Sequence, residues 1–199
     1  MQHIAPLHIA PLSGAELAEA LPALARLRIE VFRAFPYLYD GTLDYEANYL
    51  STFAQSRDAV IVVASDGGEI VGCATGSALD TNHAELIAPL AAAGIDLGST
   101  FYCGESVLLP AYRGRGIGHA FFDQREAHAR AHGYARACFC AVARPEEHPL
   151  KPQGYSPLDA FWRARGYAPL PGAVARFGWT DVGEAGPSDK PMQFWMRDL

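Results

Sequence analysis

The stretch Glu105-Ser-Val-Leu-Leu-Pro-Ala-Tyr-Arg-Gly-Arg-Gly-Ile-Gly118 decides how this chain is read. Phe101 to Leu109 has the composition of a strand, Arg113 to Gly118 is a Gly-rich turn, and Gly118 to His132 is an Ala-rich helix. Glu126 and Arg130 form a favourable i,i+4 pair in that helix, and Gly133 stops it. A strand that ends in such a turn and opens into a helix is a built anion site. Glycines at 114, 116 and 118 let the backbone bend and approach a guest closely. The first N–H groups of the helix lack partners and carry the positive end of its dipole. Arg113 and Arg115 add charge and forked donors, so a phosphate or pyrophosphate is the natural ligand. No Gly-Lys-Ser/Thr follows, which excludes a Walker loop, and the last spacing of G-x-G-x-x-G is missing.

The elements on either side give the architecture. His3 to Leu12 reads as a first edge strand. Leu17, Leu21, Leu24, Leu27 and Val31 recur at helical spacing, with Ser13 and Glu16 matching a capping box. Pro22 falls inside this pattern, so the helix is expected to start late or to kink. Asp44 to Phe53 is a second helix. Ala59 to Ala64 and Ile70 to Gly76 form a hairpin around Asp66-Gly67-Gly68. Asn82 to Ala93 is helical and Tyr134 to Val142 a strand. A Pro-rich loop, Arg144 to Pro157, then leads to a short helix, Leu158 to Arg165. Val174 to Thr180 and Pro191 to Arg197 are the final strands. The α/β order fits one mixed sheet with helices on both faces, a single domain over 1–199.

Composition narrows the function. Half of the 199 residues are hydrophobic and 19% are charged, which excludes a disordered chain. No apolar run reaches the ~18 residues of a membrane helix. Net charge is −6, which argues against nucleic acid or a membrane surface as partner. The charge is uneven: residues 1–112 hold 4 Arg, no Lys and 13 acids, whereas 113–199 hold 12 bases and 9 acids. Two ligand regions of opposite sign would explain this. The N-terminus lacks the features of a secretory signal, and the four cysteines read as buried small hydrophobes. A cytoplasmic location is the default expectation. His128 and His132 lie i,i+4 on a helix without the Glu of H-E-x-x-H, so no metal is expected.

Arg113-Gly-Arg-Gly-Ile-Gly118 resembles the R/Q-x-x-G-x-G/A signature of the GNAT acyltransferases, which use acetyl-CoA. Leu108 to Arg113 is similar to the family's strand end, and Phe161-Trp-Arg-Ala-Arg-Gly-Tyr167 to its F-Y-x-x-x-G-F segment. The element order matches as well. The resemblance implies a GNAT-like fold with a mostly antiparallel sheet. The backbone of Val107, Leu108 and Leu109 would pair with the pantetheine arm. The amides of Gly114, Arg115, Gly116, Ile117, Gly118 and His119 would hold the pyrophosphate. Strands 101–109 and 134–142 would splay apart to admit the thioester. Two features depart from the family. The Pro-rich loop replaces the usual strand–helix junction, and Trp162 stands where the family has its Tyr general acid. The segment from Ala143 to Trp162 is also similar to acyltransferase modules found beside carbon–nitrogen hydrolases.

The expected activity is N-acetyl transfer from acetyl-CoA to a primary amine by direct attack in a ternary complex. The alternative is a module that binds acyl-CoA without catalysis. Glu105 is the candidate base, with an ion pair or a solvent-facing position as its other reading. Tyr155 is the candidate acid, with loop packing as the alternative; His148 sits in the same loop and titrates near neutrality. Glu30, Tyr37, Tyr39 and Asp40 are candidates for binding a small cationic amine through charge and cation–π attraction. The aromatics of that segment are alternatively core and hinge packing. A second copy of the chain, paired through an exposed final strand, is a candidate partner.

Overall fold

The computed structural model describes residues 7–79 and 84–199. Seven strands form one sheet: β1 (His8–Leu12), β2 (Val60–Asp66), β3 (Glu69–Ala78), β4 (Thr100–Leu108), β5 (Arg136–Val142), β6 (Ala168–Trp179) and β7 (Ser188–Asp198). Their spatial order is β1-β2-β3-β4-β5-β7-β6. Every neighbouring pair is antiparallel except β4 and β5. That parallel pair needs a crossover, and helix α4 (Ile117–Ala131) supplies it. Helices α1 (Gly14–Phe32) and α2 (Leu43–Phe53) pack on the opposite face, through Leu24, Leu27, Leu50 and Phe53 against Ile61, Val63, Cys73 and Val107. Helix α3 (Ala84–Ala92) packs near β6, and α5 (Asp159–Ala164) lies beside α4.

The sequence reading needs corrections here. The final strand, β7, lies between β5 and β6, so it is not the exposed strand through which a second copy was expected to pair. His3 to Pro6 and Asn82 to His83 lie outside the described residues. Gly67 and Gly68 both have positive φ, as a two-residue hairpin turn requires. Ser13 makes no side-chain cap, so the capping box does not form. Helix α1 does not start late: it begins at Gly14 and runs on through Pro22, which holds an exposed position inside it. Tertiary packing of Leu24, Ala25 and Leu27 sustains the helix despite the proline. All four cysteines are free and buried.

One irregularity in β4 positions everything that follows. Ala74 pairs with Ser106 and Gly76 with Cys103, so Thr75 is opposed by two residues, Gly104 and Glu105. This is a β-bulge. It shifts the side-chain alternation of the strand by one. Phe101 and Cys103 face α4, but beyond the bulge Val107 faces α1, while Ser106 and Leu108 face α4. Glu105 thereby joins the α1–α2 face. Position 104 accepts only glycine, because an added Cβ would collide with Oγ1 of Thr75. That same hydroxyl accepts the N–H of Glu105 at 3.2 Å. We expect Gly104→Ala to destabilise the fold by about 1–3 kcal/mol, the usual cost of overpacking. A lowered midpoint in urea denaturation would show it.

Candidate functional site

The Gly-rich turn connects β4 to α4, as the sequence predicts. Gly114 and Gly116 adopt φ of 75° and 79°, conformations that favour glycine. A Cβ at either would meet open space, so positive φ and not crowding is what favours glycine there. Gly116 is the N-cap of α4 and offers no side-chain cap. The first intrahelical bond runs from Ala120 N–H to Gly116 O, leaving the N–H groups of Ile117, Gly118 and His119 without helical acceptors. Arg113 lines the cleft and donates to Leu108 O at 3.5 Å. Arg115 points elsewhere and stacks over the Tyr112 ring. The His119 ring packs edge-on to Phe161 and bonds Arg165, which also holds Asp123 and Glu126.

A cleft of about 1130 Å³ runs from this turn through the sheet. It exists because β4 and β5 part. Their ladder stops at Tyr102 and Cys138, after which β4 continues against β3 and β5 against β7. Leu109 N–H bonds Val71 O, so by alternation Leu109 and Val107 turn their amides to β3, and Ser106 and Leu108 turn theirs to the gap. Of the three residues 107–109, Leu108 is therefore the one whose backbone is placed to meet a ligand.

Glu105 lies where the gap opens toward α1. Its carboxylate forms an ion pair with Arg28 of α1 and accepts the Tyr49 hydroxyl of α2 at 3.3 Å. Arg28 also pairs with Glu46, which is fully buried. Burial alone would lower the Arg28 pKa, but the charges of Glu105 and Glu46 and the Tyr49 hydroxyl hold it well above its ordinary value. One guanidinium thus serves two carboxylates. The Tyr49 phenol is pushed up by burial and by Glu105. The ion-pair reading of Glu105 is realised, on the wall of the cleft.

From the other face, Arg125 of α4 fixes the bulge. This guanidinium is 1% exposed and donates to Thr75 O and Glu105 O, each at 3.1 Å, and to Ser106 Oγ at 2.9 Å. Both backbone groups of Glu105 are consequently held, the N–H by Thr75 and the carbonyl by Arg125. The helix that offers its N-terminus to an anion also aims the carboxylate.

The expected acceptor residues are only partly brought together. Tyr37 lines the cleft, its phenol pushed up by burial and by Cys140 and Glu105, and its ring against Phe32 and Trp179. Glu30 is exposed on α1 and does not line the cleft. Asp40 is exposed and paired with Arg33 at 2.6 Å. Tyr39 bridges to Asp181 and lines a separate pocket of about 250 Å³ with Asp40. Arg144 clamps Pro36 O, Tyr37 O and Asp181 together. Tyr39 does not line the cleft, but its phenol meets Glu46, and burial and that carboxylate push it up. Tyr155 does reach the cleft, edge-on to Phe35 at 4.7 Å, its phenol raised by burial and by Asp159. His148 accepts Leu150 N–H, a loop role. Trp162 packs with Phe139 and Trp195 and borders the cleft. His128 is bonded to Asp58 O.

Arg28, Glu46, Tyr49, Arg125 and Arg144 escape the sequence reading. The signal for two of them was present: Arg28 is four residues after Leu24 and Arg125 four after Phe121, so each stands on an apolar helical stripe. Gly104 inside a strand was likewise a bulge signal.

The model of the acetyltransferase (GNAT) family matches residues 24–150. The chain belongs to this family of enzymes. No curated protein matches it in sequence. Among solved structures, it is similar to a ribosomal-protein-alanine N-acetyltransferase from Brucella melitensis, with 16% identity and a TM-score of 0.63 over 97% of this chain and 100% of that one. It is similar to a phosphinothricin acetyltransferase from Sinorhizobium meliloti in complex with acetyl-CoA, with 18% identity and a TM-score of 0.59 over 97% and 88%. The structure of yncA from Salmonella typhimurium with its cofactor acetyl-CoA shares 12% identity and a TM-score of 0.61 over 97% and 94%. At these identities the likeness is one of fold. Among the described residues no helix is long and apolar enough to cross a membrane.

Removing Arg28 isolates two carboxylates. Arg28→Met should cost about 3–5 kcal/mol, as breaking a buried pair does. Arg28→Met/Glu46→Gln should recover part of the loss, because the fully buried charge goes too. Urea denaturation of the two variants beside the parent chain measures both effects.

Proposed function

We propose that this protein transfers an acetyl group from acetyl-CoA to a primary amine by direct attack in a ternary complex. The observation that supports it best is the continuity of one cleft from the α4 N-terminus, across the β4–β5 gap, to Glu105 on the opposite face. A diphosphate suits the Ile117–His119 amides and Arg113. An extended amide-bearing arm suits the β4 edge that Leu108 turns to the gap, as an added strand does. Gly114 and Gly116 leave the room that this requires.

Bound there, acetyl-CoA supplies an acetyl group activated as a thioester. Glu105 takes the proton that the amine nitrogen sheds, directly or through water. Tyr155 donates a proton to the sulfur as the C–S bond breaks, and a new N–C bond takes its place. The products are an N-acetyl amine and the free thiol. Trp162 cannot release a proton near neutral pH, so a phenol elsewhere in the cleft has to serve. Burial keeps the phenol of Tyr155 protonated.

Calorimetric titration with acetyl-CoA should give micromolar binding that Gly116→Trp abolishes, with circular dichroism confirming that the variant is folded. No binding by the folded parent chain would sink the proposal. Among amines that release thiol, Glu105→Gln should lower kcat by about 10²–10⁴-fold, the range for general base loss, while acetyl-CoA affinity is kept. Tyr155→Phe should lower kcat in the same way. Binding without thiol release across an amine screen would instead mark a non-catalytic acyl-CoA module.

A further inference from the structure

The acceptor end of the cleft has a distinctive lining. On the α1 face its walls are Phe32, Phe35, Tyr37, Val142 and Tyr155, all aromatic or apolar. The cations that border it are already committed. Arg144 gives its donors to Asp181 and to two carbonyls, and Lys151 gives its ammonium to Glu146. No uncommitted cation among the described residues of this wall could receive an acceptor's carboxylate. Of the carboxylates that line the cleft, Glu146 is paired with Lys151 and Asp159 stands at the start of α5, whereas Glu105 faces the gap and shares its counter-ion with Glu46. That carboxylate attracts an ammonium, and the surface beside it is rich in apolar and aromatic side chains.

We infer that the acceptor is an amine carried on an aromatic or branched apolar body, with the nitrogen at Glu105 and the body packed against the touching rings of Phe35 and Tyr155. This rests on the acetyltransferase reading above and narrows it. The geometry supports Phe35 as the specificity residue. Its ring meets Tyr155 at 4.7 Å and His148 at 5.6 Å, joining the segment after α1 to the Pro-rich loop across the cleft. The body of the acceptor gains contact with both sides there, and a short polar chain would gain none.

The test is acetyl-CoA-dependent thiol release by the full chain with 2-phenylethylamine, 3-methylbutylamine, putrescine, spermidine and phenylalanine. The first two should exceed the others in kcat/KM by at least about tenfold, the low end of discrimination by an apolar pocket. Phe35→Ala should raise KM for 2-phenylethylamine about tenfold and leave KM for acetyl-CoA within about twofold, and Phe35→Leu should restore part of the loss. Equal or better turnover of putrescine, spermidine or phenylalanine would overturn the inference and leave acetyl transfer standing. An equal effect of Phe35→Ala on all five amines would also overturn it. Thiol release with none of the amines, by a chain that binds acetyl-CoA, would count against acetyl transfer to amines itself.

Discussion

The extra residue in β4 is the constraint on which the site depends. A strand presents alternate side chains to alternate faces, so its register admits no gradual adjustment. Opposing Thr75 with both Gly104 and Glu105 reverses that alternation in mid-strand. Without the bulge, residue 105 would continue the face of Phe101 and Cys103, inside the apolar cluster under α4. With it, Glu105 meets Arg28 and Tyr49 on the face where an acceptor can approach. Bulges also bend and twist their strand, and the β4–β5 ladder ends two residues before this one. The carboxylate and the opening beside it thus share a cause.

Holding the bulge takes side chains from three elements. Thr75 of β3 occupies the Glu105 N–H, and Arg125 of α4 occupies its carbonyl. Arg28 of α1 holds the carboxylate. Each is buried or nearly so, and a buried charge left alone would cost several kcal/mol. The polar groups here are therefore mutually dependent, and the geometry they define has few alternatives. Helix α4 connects the two ends. Its N-terminus adjoins the Gly-rich turn and its third turn supports the bulge.

Much of this was legible in the sequence, for reasons that differ by element. The strand–turn–helix around Arg113 to Gly118 is local chemistry, written in glycines and helix-starting geometry, and the structure reproduces it. The strands and helices follow from periodicity and agree within a few residues for most elements. Of the acceptor candidates, Tyr37 alone lines the cleft. Tyr39 and Asp40 are close to it in sequence, but Tyr39 bridges to Asp181 and meets Glu46, and Asp40 pairs with Arg33. Long-range ion pairs leave no periodic trace. Arg28 and Arg125 were visible as charges on apolar stripes, yet their partners could not be read without the sheet. The Ser13 cap failed to form although its pattern was present, because packing of the apolar stripe is enough to hold α1.

The account's central claim is that one ligand spans the α4 N-terminus and the open edge of β4. Hydrogen exchange followed residue by residue, with and without coenzyme A, tests it most directly. The account predicts slowed exchange at the amides of Ile117, Gly118, His119 and Leu108, with Val107 and Leu109 unchanged because β3 already holds them. Protection confined to other elements, or none at saturating ligand, would contradict it.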